Sequence, residues 1–460
     1  MQDAIIALAT PTGRSGIGVI RLSGGDTLSI AGKLVGEHNF SPKPRTALLR
    51  QLLNPATNEI IDEAIITYFK APHSFTGEDV VEISCHGSPV LLRQVIDICL
   101  SQNARMAEAG EFSLRALANG RMDLAEVEAI RDLIDAQTTA SARQAIRQLR
   151  GEFSNQLHPL KDDLLNVIVI LESALEFVED DIPEIQAEGV KSKLSAIVNE
   201  IDKLASTFKA GKLIREGLRV ALVGRPNVGK SSLFNALLGS NRAIVTEVAG
   251  TTRDQIHERF TIGDIPISLI DTAGLRETTD MVESIGVERS RATMADADIV
   301  VVMLDASEQT SNEDREIITS LKDLNYIVAL NKIDKIPSSD IDHIVAAEHS
   351  SLAYLRERVT PVSAKTGEGL EDLRNSIIRP FAAEDVSTAG FLVTDARHHD
   401  LLVRAAAEVV QSLEQMNQKM SEEIVLIGLH NALRYLGQIT GEATTEDMLT
   451  RIFSTFCIGK

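Results

Sequence analysis

Residues 218–238 read LRVALVGRPNVGKSSLFNALL: an apolar strand-like segment, a glycine-containing loop and a helix-like segment in succession. The loop fits the pattern G-x-x-x-x-G-K-[ST] from Gly224 to Ser231. Its glycines let backbone N–H groups turn toward phosphates, and the N-terminus of the next helix favours negative charge. We expect Lys230 to reach the β- and γ-phosphates and the Ser231 hydroxyl to bind Mg²⁺. The predicted nucleotide contacts of this loop are Asn227, Val228, Gly229, Lys230, Ser231 and Ser232.

Three more motifs follow apolar strands further along the chain. In DTAG, Asp271 can hold Mg²⁺ through water, and the N–H group of Gly274 can meet the γ-phosphate. In NKID, Asp334 can accept hydrogen bonds from guanine N1–H and the exocyclic amine, which adenine cannot offer. The segment SAK fits the loop behind guanine O6. These motifs predict a GTP-hydrolysing switch domain and add the contacts Asp271, Gly274, Asn331, Lys332, Asp334, Ser363, Ala364 and Lys365.

The sequence also indicates how hydrolysis occurs. In Ras-like enzymes a Gln after D-x-x-G positions the attacking water, but here that residue is Leu275, which cannot hydrogen-bond through its side chain. Glu283 is the nearest candidate carboxylate, although spacing alone favours a solvated residue at the start of a helix. Asn227 could give an oxygen to a monovalent cation where an arginine finger otherwise acts.

The segments on either side of this domain differ from it in character. Residues 1–120 show strand-like runs and turn signals, including a predicted hairpin and a helix over 90–100, which indicates an α+β domain. Residues 121–216 show helical spacing, which predicts two or three packed helices, and helical spacing returns over 382–460. From 217 to 381 strands alternate with helices, typical of a mostly parallel sheet. The predicted fold is multidomain α/β, with a discontinuous all-α domain interrupted by an inserted G domain.

Composition limits the class of protein. The 460 residues suffice for two or three domains, and 46 Lys and Arg against 66 Asp and Glu give a net charge of −20. This acid excess argues against a protein that coats nucleic acid. Three cysteines are too few to cross-link such a chain and indicate a reducing compartment. With no secretory signal and no apolar stretch of about 20 residues, we expect a cytoplasmic protein without a membrane span.

Several motifs together resemble the MnmE (TrmE) family of tRNA modification GTPases. They are GTTRD at 250–254, DTAGLRE at 271–277, FCIGK at 456–460, ATPTGRSGIGVIRLSG at 9–24 and SFTGED at 74–79. The resemblance covers the whole chain. It implies a homodimer with a folate-binding-like N-terminal domain. It also implies a flavin-dependent partner, GidA (MnmG), with which the C5 position of the wobble uridine of tRNA is modified. A 5-formyl- or 5,10-methylene-tetrahydrofolate would supply the one-carbon unit.

The resemblance also assigns individual residues. It implies that Asn227 forms a K⁺ site with Thr246, Val248 and Thr251, that Thr252 joins Ser231 at Mg²⁺, and that Glu283 is catalytic. The positions that contact folate in the family are Arg21, Glu82, Arg121 and Lys460. The chain departs from the family at Arg121, where lysine is common, and keeps the charge there.

Two points stay open at the level of sequence. Cys457 lies near Lys460 and could be a thiolate nucleophile, because cationic neighbours lower a cysteine pKa, or a small residue that packs the tail. The protein could also be a GTPase assembly switch, for example in ribosome maturation, without modification chemistry of its own. The N-terminal domain and the FCIGK tail favour the tRNA-modifying function, because such assembly GTPases lack them.

Overall fold

The computed structural model describes residues 3–176, 184–239, 257–271, 296–321, 324–341, 359–381 and 390–459. The chain divides into two compact units. The first contains Met1–Arg131, Gln148–Leu194 and Gln411–Lys460; the second contains Asp132–Arg147 and Ser195–Val410. The domain boundaries expected from the sequence stay predictions.

The first unit begins with a six-stranded sheet and three helices. The strands are β1 (Ile5–Leu8), β2 (Ser15–Ser23), β3 (Ala47–Leu53), β4 (Ile60–Phe69), β5 (Val80–Gly87) and β6 (Arg105–Met106). The helices are α1 (Thr27–Val35), α2 (Pro89–Ser101) and α3 (Glu111–Ala118). The strand order is β3-β4-β5-β2-β1-β6, and all neighbours are antiparallel except β1 and β6. This arrangement confirms the predicted N-terminal hairpin.

Alternation along the strands gives the sheet two unlike faces. Helices α1 and α2 cover one face, where Leu22, Ile66 and Ile83 are fully buried. On the other face Phe112 of α3 packs against β1. Further along that second face the apolar side chains are exposed: Ile17 by 63%, Leu49 by 57% and Ile65 by 44%.

A helical region follows. Its helices are α4 (Leu124–Asp135), α5 (Thr139–Leu149), α6 (Glu152–Glu176), α7 (Glu184–Ser206) and α8 (Phe208–Glu216). The prediction of two or three helices was wrong, because this region contains five described helices. The breaks before and after α5 contain no proline that would mark them in the sequence. Thr138 and Ser141 exchange backbone and side-chain hydrogen bonds that begin α5, and Gly151 has a φ of 77° between α5 and α6.

The second unit holds a six-stranded sheet with covering helices. Its elements are β7 (Leu218–Val223), α9 (Lys230–Leu238), β8 (His257–Ile262), β9 (Ile265–Asp271), β10 (Ile299–Asp305), α10 (Asn312–Ser320), β11 (Tyr326–Asn331), β12 (Val359–Pro361) and α11 (Leu370–Ile378). The strand order is β12-β11-β10-β7-β9-β8, and only β8 is antiparallel to its neighbour. The predicted, mostly parallel sheet is confirmed.

Helices return after this domain, as predicted. They are α12 (Ala396–Asn417), α13 (Glu422–Thr440) and α14 (Glu446–Phe453). Within the first unit α13 packs beside α6, where His430 Nε2 lies 3.1 Å from Glu172 Oε1. The helical domain is therefore interrupted in sequence by the α/β domain. Among the helices that the structure describes, none combines the length and apolar character needed to cross a bilayer.

Candidate functional site

The phosphate loop joins β7 to α9 and requires glycine at both of its ends. Gly224 has a φ of 151° and Gly229 a φ of 100°, values that residues with a side chain rarely adopt. A Cβ on Gly224 would lie 2.6 Å from the carbonyl oxygen of Met303, and one on Gly229 would lie 2.4 Å from Nδ2 of Asn331. The loop therefore packs tightly against the ends of β10 and β11.

The Lys230 ammonium lies over the loop that precedes it. Its Nζ donates to the carbonyl oxygens of Gly224 at 2.6 Å and Arg225 at 2.8 Å. Ser231 and Ser232 are exposed on the first turn of α9, where backbone N–H groups lack partners within the helix. An anion at this position would meet an ammonium group, two hydroxyls and a helix N-terminus.

Oxygen donors suited to Mg²⁺ come from the same edge of the sheet. Strand β9 runs parallel to β7, and its last residue, Asp271, is the register partner of Leu222. Asp271 therefore ends its strand beside the start of the phosphate loop, although its side chain is outside the described residues. The exposed Ser231 hydroxyl is a second oxygen donor. Hydroxyl and carboxylate oxygens are ligands that Mg²⁺ prefers, so these residue types fit the ion.

Asn331 joins the phosphate loop to the two loops predicted to hold the base. The residue ends β11 and is buried. Its Nδ2 donates to the Val228 carbonyl at 2.8 Å, and its Oδ1 accepts from the Ala364 N–H at 3.0 Å. One amide side chain thus holds three segments that are far apart in sequence.

Asp334 lies beside the SAK segment. Its Oδ1 accepts a hydrogen bond from the buried Ser363 hydroxyl at 2.7 Å. That bond is the main reason why the pKa of Asp334 is lowered, with a smaller contribution from Lys365. The carboxylate is exposed and ionised at neutral pH, which suits an acceptor for two N–H groups of a base.

Two ion pairs that brace these loops were not found from the sequence. Arg225 of the phosphate loop pairs with Asp314 at 2.8 Å. Lys332 pairs with Asp305 at 2.5 Å and also donates to the Asn227 carbonyl at 2.7 Å. The available signal was the position of Asp305 at the carboxyl end of a predicted strand, the edge where the other site residues lie.

Several predicted site residues lie outside the described residues. They are Thr246, Val248, Thr251, Thr252, Gly274, Glu283 and Lys460. Of the predicted K⁺ ligands, Asn227 is described. It is exposed with a φ of 63°, a left-handed conformation that asparagine tolerates better than most residues.

A second group of predicted residues lies on the partly open face of the N-terminal sheet. Arg21 and Glu82 are register partners on β2 and β5. Nε and Nη2 of Arg21 donate to Oε1 of Glu82 at 2.9 and 2.7 Å. The guanidinium carbon lies 5.4 Å from the ring centre of Phe75 and 5.8 Å from that of Phe112. A charged pair thus stands beside two aromatic rings, an arrangement suited to a flat, polar ligand.

Arg121 contacts the loop before β5, which also carries the Phe75 ring near Arg21. Its Nε donates to the Ser74 carbonyl at 3.2 Å, and Ser74 precedes the Phe75 ring that lies near Arg21. The loop is held to β2 by a hydrogen bond of 2.7 Å between the hydroxyls of Ser23 and Thr76. The structure therefore brings Arg21, Glu82 and Arg121 to one region.

A buried ionic network braces this region. Arg115 is 1% exposed and pairs with Asp3 at 2.9 Å, Glu78 at 3.0 Å and Glu111 at 2.9 Å. Burial alone would raise the pKa of Glu111, but the hydrogen bonds from Arg105, from the Glu108 N–H and from Arg115 outweigh it and lower that pKa. The network ties α3 to the residues before β1 and to the loop before β5.

The C-terminal segment docks beside the same region. Ile458 forms an antiparallel bridge with Ala109, and the Gly459 carbonyl lies 3.5 Å from Nη1 of Arg21. A Cβ on Gly459 would lie 2.6 Å from the Leu8 carbonyl oxygen. The side chain of Cys457 is exposed, which argues against the alternative that it packs the tail.

Comparisons with known proteins agree along the whole chain. Residues 4–121 match the family model described as GTP-binding protein TrmE N-terminus, and residues 124–457 match that of the MnmE helical domain. Proteins named tRNA modification GTPase MnmE from Koribacter versatilis and Aquifex aeolicus are each 42% identical to it, with 100% of both chains covered. A crystal structure of Aquifex aeolicus Era bound to GDP.AlF4− is similar at 29% identity and a TM-score of 0.31, covering 42% of this chain and 66% of that one.

Proposed function

Because the chain belongs to the MnmE family of tRNA modification GTPases, we propose that it couples K⁺-stimulated GTP hydrolysis to modification of the wobble uridine. The product is a carboxymethylaminomethyl group at C5, made with the flavin-dependent partner GidA (MnmG) and a folate one-carbon unit. The observation that carries the nucleotide part is Asn331, which holds the phosphate loop and the SAK segment through one buried amide.

The phosphate side of the reaction rests on the residues around α9. Lys230 binds the β- and γ-phosphate oxygens in place of the two carbonyl groups that it now contacts. Ser231 and Thr252 hold Mg²⁺, with Asp271 acting through water. When bound, Mg²⁺ supplies charge neutralisation at the β- and γ-phosphates. Gly274 meets the γ-phosphate through its N–H group.

The base side rests on the loops that follow β11 and β12. Asp334 accepts from guanine N1–H and the exocyclic amine, and Ser363 holds that carboxylate in place by its hydrogen bond of 2.7 Å. Lys332, in the loop that follows β11, contacts the Asn227 carbonyl of the phosphate loop. Ala364 and Lys365 complete the wall behind guanine O6.

The monovalent cation would be held by Asn227 together with Thr246, Val248 and Thr251. Asn227 supports this role because its side chain is exposed on the phosphate loop. Its backbone has a left-handed conformation, with a φ of 63°. A bound K⁺ supplies positive charge between the β- and γ-phosphates, where an arginine finger otherwise contributes about 10³–10⁵ in rate.

Glu283 would orient the attacking water, because Leu275 has no hydrogen-bonding group in its side chain. The water oxygen bonds to the γ-phosphorus, the bond to the β–γ bridging oxygen breaks, and the water proton leaves with the phosphate product. The carboxylate acts on water rather than on phosphate, so nucleotide binding does not depend on it.

The test compares GTP turnover in KCl and NaCl at equal ionic strength for wild type, Glu283→Ala and the control Glu288→Ala from the same segment. We expect high turnover in KCl alone, loss of turnover with retained nucleotide affinity in Glu283→Ala, and wild-type behaviour in Glu288→Ala. Equal turnover in the two salts contradicts the cation site. Near-normal turnover in Glu283→Ala contradicts the role of Glu283.

The one-carbon part is proposed for the region of Arg21, Glu82, Arg121 and Lys460. A reduced folate has a flat pyrimidine ring in its pterin, with N–H groups that can donate to Glu82, and it has carboxylates that arginine binds well. The two rings beside Arg21, Phe75 and Phe112, support a flat ligand there. The exposed thiol of Cys457 would stand at the rim, where it is free to react.

We further propose that the protein is a cytoplasmic homodimer. The exposed face of the N-terminal sheet supports this, because Ile17, Leu49 and Ile65 lie on it and a second copy could bury them. A net charge of −20 leaves few places for an RNA backbone, so GidA would hold much of the tRNA.

Mass analysis of the wobble uridine in tRNA from cells lacking this protein tests the pathway as a whole. Loss of the carboxymethylaminomethyl group supports the proposal. An unchanged uridine together with a ribosome-assembly defect would instead favour the assembly-switch function.

A further inference from the structure

Asp305 ends β10 and lies at the edge of the sheet where the nucleotide loops meet. The residue is buried, and Asp305 and Asn331 are register partners on β10 and β11. Its Oδ1 accepts from the N–H of Ser307 at 3.0 Å and from the Ser307 hydroxyl at 2.7 Å. Its Oδ2 accepts from Nζ of Lys332 at 2.5 Å. Three hydrogen bonds thus fix this carboxylate in one orientation.

The Lys332 ammonium joins two loops. Besides Asp305, its Nζ donates to the backbone carbonyl of Asn227 at 2.7 Å. Lys332 and Asn227 both have positive φ angles, of 69° and 63°. Backbone conformations of this kind are costly for residues other than glycine and persist where the surroundings hold them. The ammonium group therefore connects two strained turns, one in the base loop and one in the phosphate loop.

We propose that Asp305 is a positioning residue for the guanine-nucleotide site, acting through Lys332. A lysine has a flexible four-carbon stem and is a point charge without preferred geometry. Only a second, fixed partner can hold its ammonium on the Asn227 carbonyl. Asp305 is that partner: it is itself anchored by Ser307 and it is buried.

The consequence is a fixed spacing between base recognition and phosphate binding. Asn331 ties the same two loops through neutral hydrogen bonds at Val228 and Ala364. Asp305 and Lys332 add a charged contact between the strand ends and the Asn227 carbonyl of the phosphate loop. Without this contact the phosphate loop keeps its glycines and Lys230, but its distance from the base-binding loop after β11 is no longer fixed. The inference rests on the proposed use of this site for guanine nucleotides.

The experiment measures the Kd for a fluorescent GDP analogue, without turnover, in wild type and in Asp305→Asn. The asparagine keeps the size of the side chain and an oxygen for Ser307 but removes the charge that holds Lys332. We expect the Kd to rise roughly ten- to hundredfold, as for loss of a charge-assisted hydrogen bond. The matched control is Asp298→Asn, just before the opposite end of β10, which should leave the Kd unchanged.

A double-mutant cycle with Lys332→Gln separates positioning from a general structural effect. If Asp305 acts through Lys332, adding Asp305→Asn to Lys332→Gln changes the Kd by less than about twofold, because the shared interaction is already lost. A further rise of the full size in the double mutant overturns the proposal, since it places the effect of Asp305 elsewhere.

A second variant guards against poor folding of Asp305→Asn. Ser307 is exposed, so Ser307→Ala should fold normally while releasing one anchor of the carboxylate, and a Kd rise of about two- to tenfold is expected. The proposal is overturned if the Kd is unchanged in Ser307→Ala and is also unchanged in Asp305→Asn. If Asp305→Asn does not fold, an unchanged Kd in Ser307→Ala alone overturns it. Failure of the wild-type protein to bind the GDP analogue would contradict the nucleotide site itself, a different result.

Discussion

At the scale of single residues, Asp334 decides which base the nucleotide site accepts. Asp334→Asn should weaken binding of GDP by more than about tenfold, because hydrogen bonds from N1–H and the exocyclic amine to a charged acceptor are lost. Xanthine has a carbonyl in place of that amine and can accept from the new amide, so the variant should prefer XDP. Competition binding with the two nucleotides measures the change. Asp340→Asn, also an exposed aspartate and close by in sequence, is the control. An unchanged preference in Asp334→Asn would remove Asp334 from the base pocket.

Arg21 carries the corresponding test of the folate region. Arg21→Ala should weaken binding of a reduced folate by roughly 1.5–3 kcal/mol, the range for a hydrogen bond to a charged group, and Arg121→Ala should do the same. GTP affinity should not change, because the nucleotide residues belong to the other unit. Calorimetric titration measures both, with Arg93→Ala, an exposed arginine on α2, as the control. Normal folate binding in both variants would contradict the assignment.

At this scale, residues whose role follows from a local pattern could be found from the sequence. The phosphate loop is local, since its glycines and the strand and helix around it are contiguous. Asp305 could not be found, because its partner Lys332 lies 27 residues away and the contact depends on β10 and β11 being neighbours. The alternation of residues along β5 allows Glu82 to lie on either face of the sheet. The cross-strand hydrogen bond from Arg21 shows that the two side chains share one face.

At the scale of secondary structure elements, two helical glycines should respond in opposite ways to substitution by alanine. A Cβ on Gly211 in α8 would lie 2.1 Å from the Val393 carbonyl oxygen, whereas one on Gly189 in α7 would have nothing within 4 Å. Gly211→Ala should therefore lower the free energy of unfolding by roughly 1–3 kcal/mol through forced displacement. Gly189→Ala should raise it by about 0.5–1 kcal/mol through helix propensity. Urea unfolding followed by circular dichroism measures both, and equal effects would contradict the close contact at α8.

The ionic network at α3 predicts a pH-dependent stability. Because the pKa of Glu111 is lowered in the folded state, its stabilisation is present above its ordinary value of 4.5 and is lost as the pH falls through the folded-state value. Arg115→Met should cost about 3–5 kcal/mol at pH 7, because it removes the buried cation that pairs with Asp3, Glu78 and Glu111. The cost should shrink as the pH falls below 4.5 and through the lowered pKa of Glu111 in the folded state.

Hydrogen exchange of peptides from β1, β2 and α3 measures this loss where it occurs. Arg93→Met, which breaks an exposed pair on α2, should change protection by less than about 1 kcal/mol. Protection in Arg115→Met equal to that in the control would contradict the network's contribution. So would a cost that stays constant as the pH falls from 7 through the lowered pKa of Glu111.

Strands with long apolar runs could be predicted from the sequence, whereas strands with a mixed polar and apolar sequence could not. Strands β7, β9, β10 and β11 are largely buried and consist mostly of apolar residues. Strand β3 is an edge strand with one fully buried residue, Leu52, and strand β8 has the mixed sequence HERFTI. Pairing with β4 and β9 makes them strands, and such pairing is not encoded in a local pattern.

At the scale of the whole molecule, the exposed sheet face predicts the oligomeric state. Ile65→Lys places a charge beside its cross-strand partner Leu49 and should shift the proposed homodimer to monomer at micromolar concentration, since burying an unpaired ammonium is unfavourable. Folding should be retained, because the side chain is 44% exposed. Sedimentation velocity measures the shift against Leu165→Lys, an equally exposed position on α6. A dimer that survives Ile65→Lys would place the interface elsewhere.

The docking of the C-terminal segment bears on how a ribosome makes this protein. Arg21 and Gly459 are 438 residues apart in sequence, and Phe453 and Phe456 pack into one cluster with Val127. A growing chain emerges with its N-terminal residues first. The N-terminal sheet would therefore wait, with its edge at Leu8 and Ala109 uncovered, until almost the whole chain has left the exit tunnel. During that delay the edge presents unpaired backbone N–H and C=O groups with which a strand of another chain can pair.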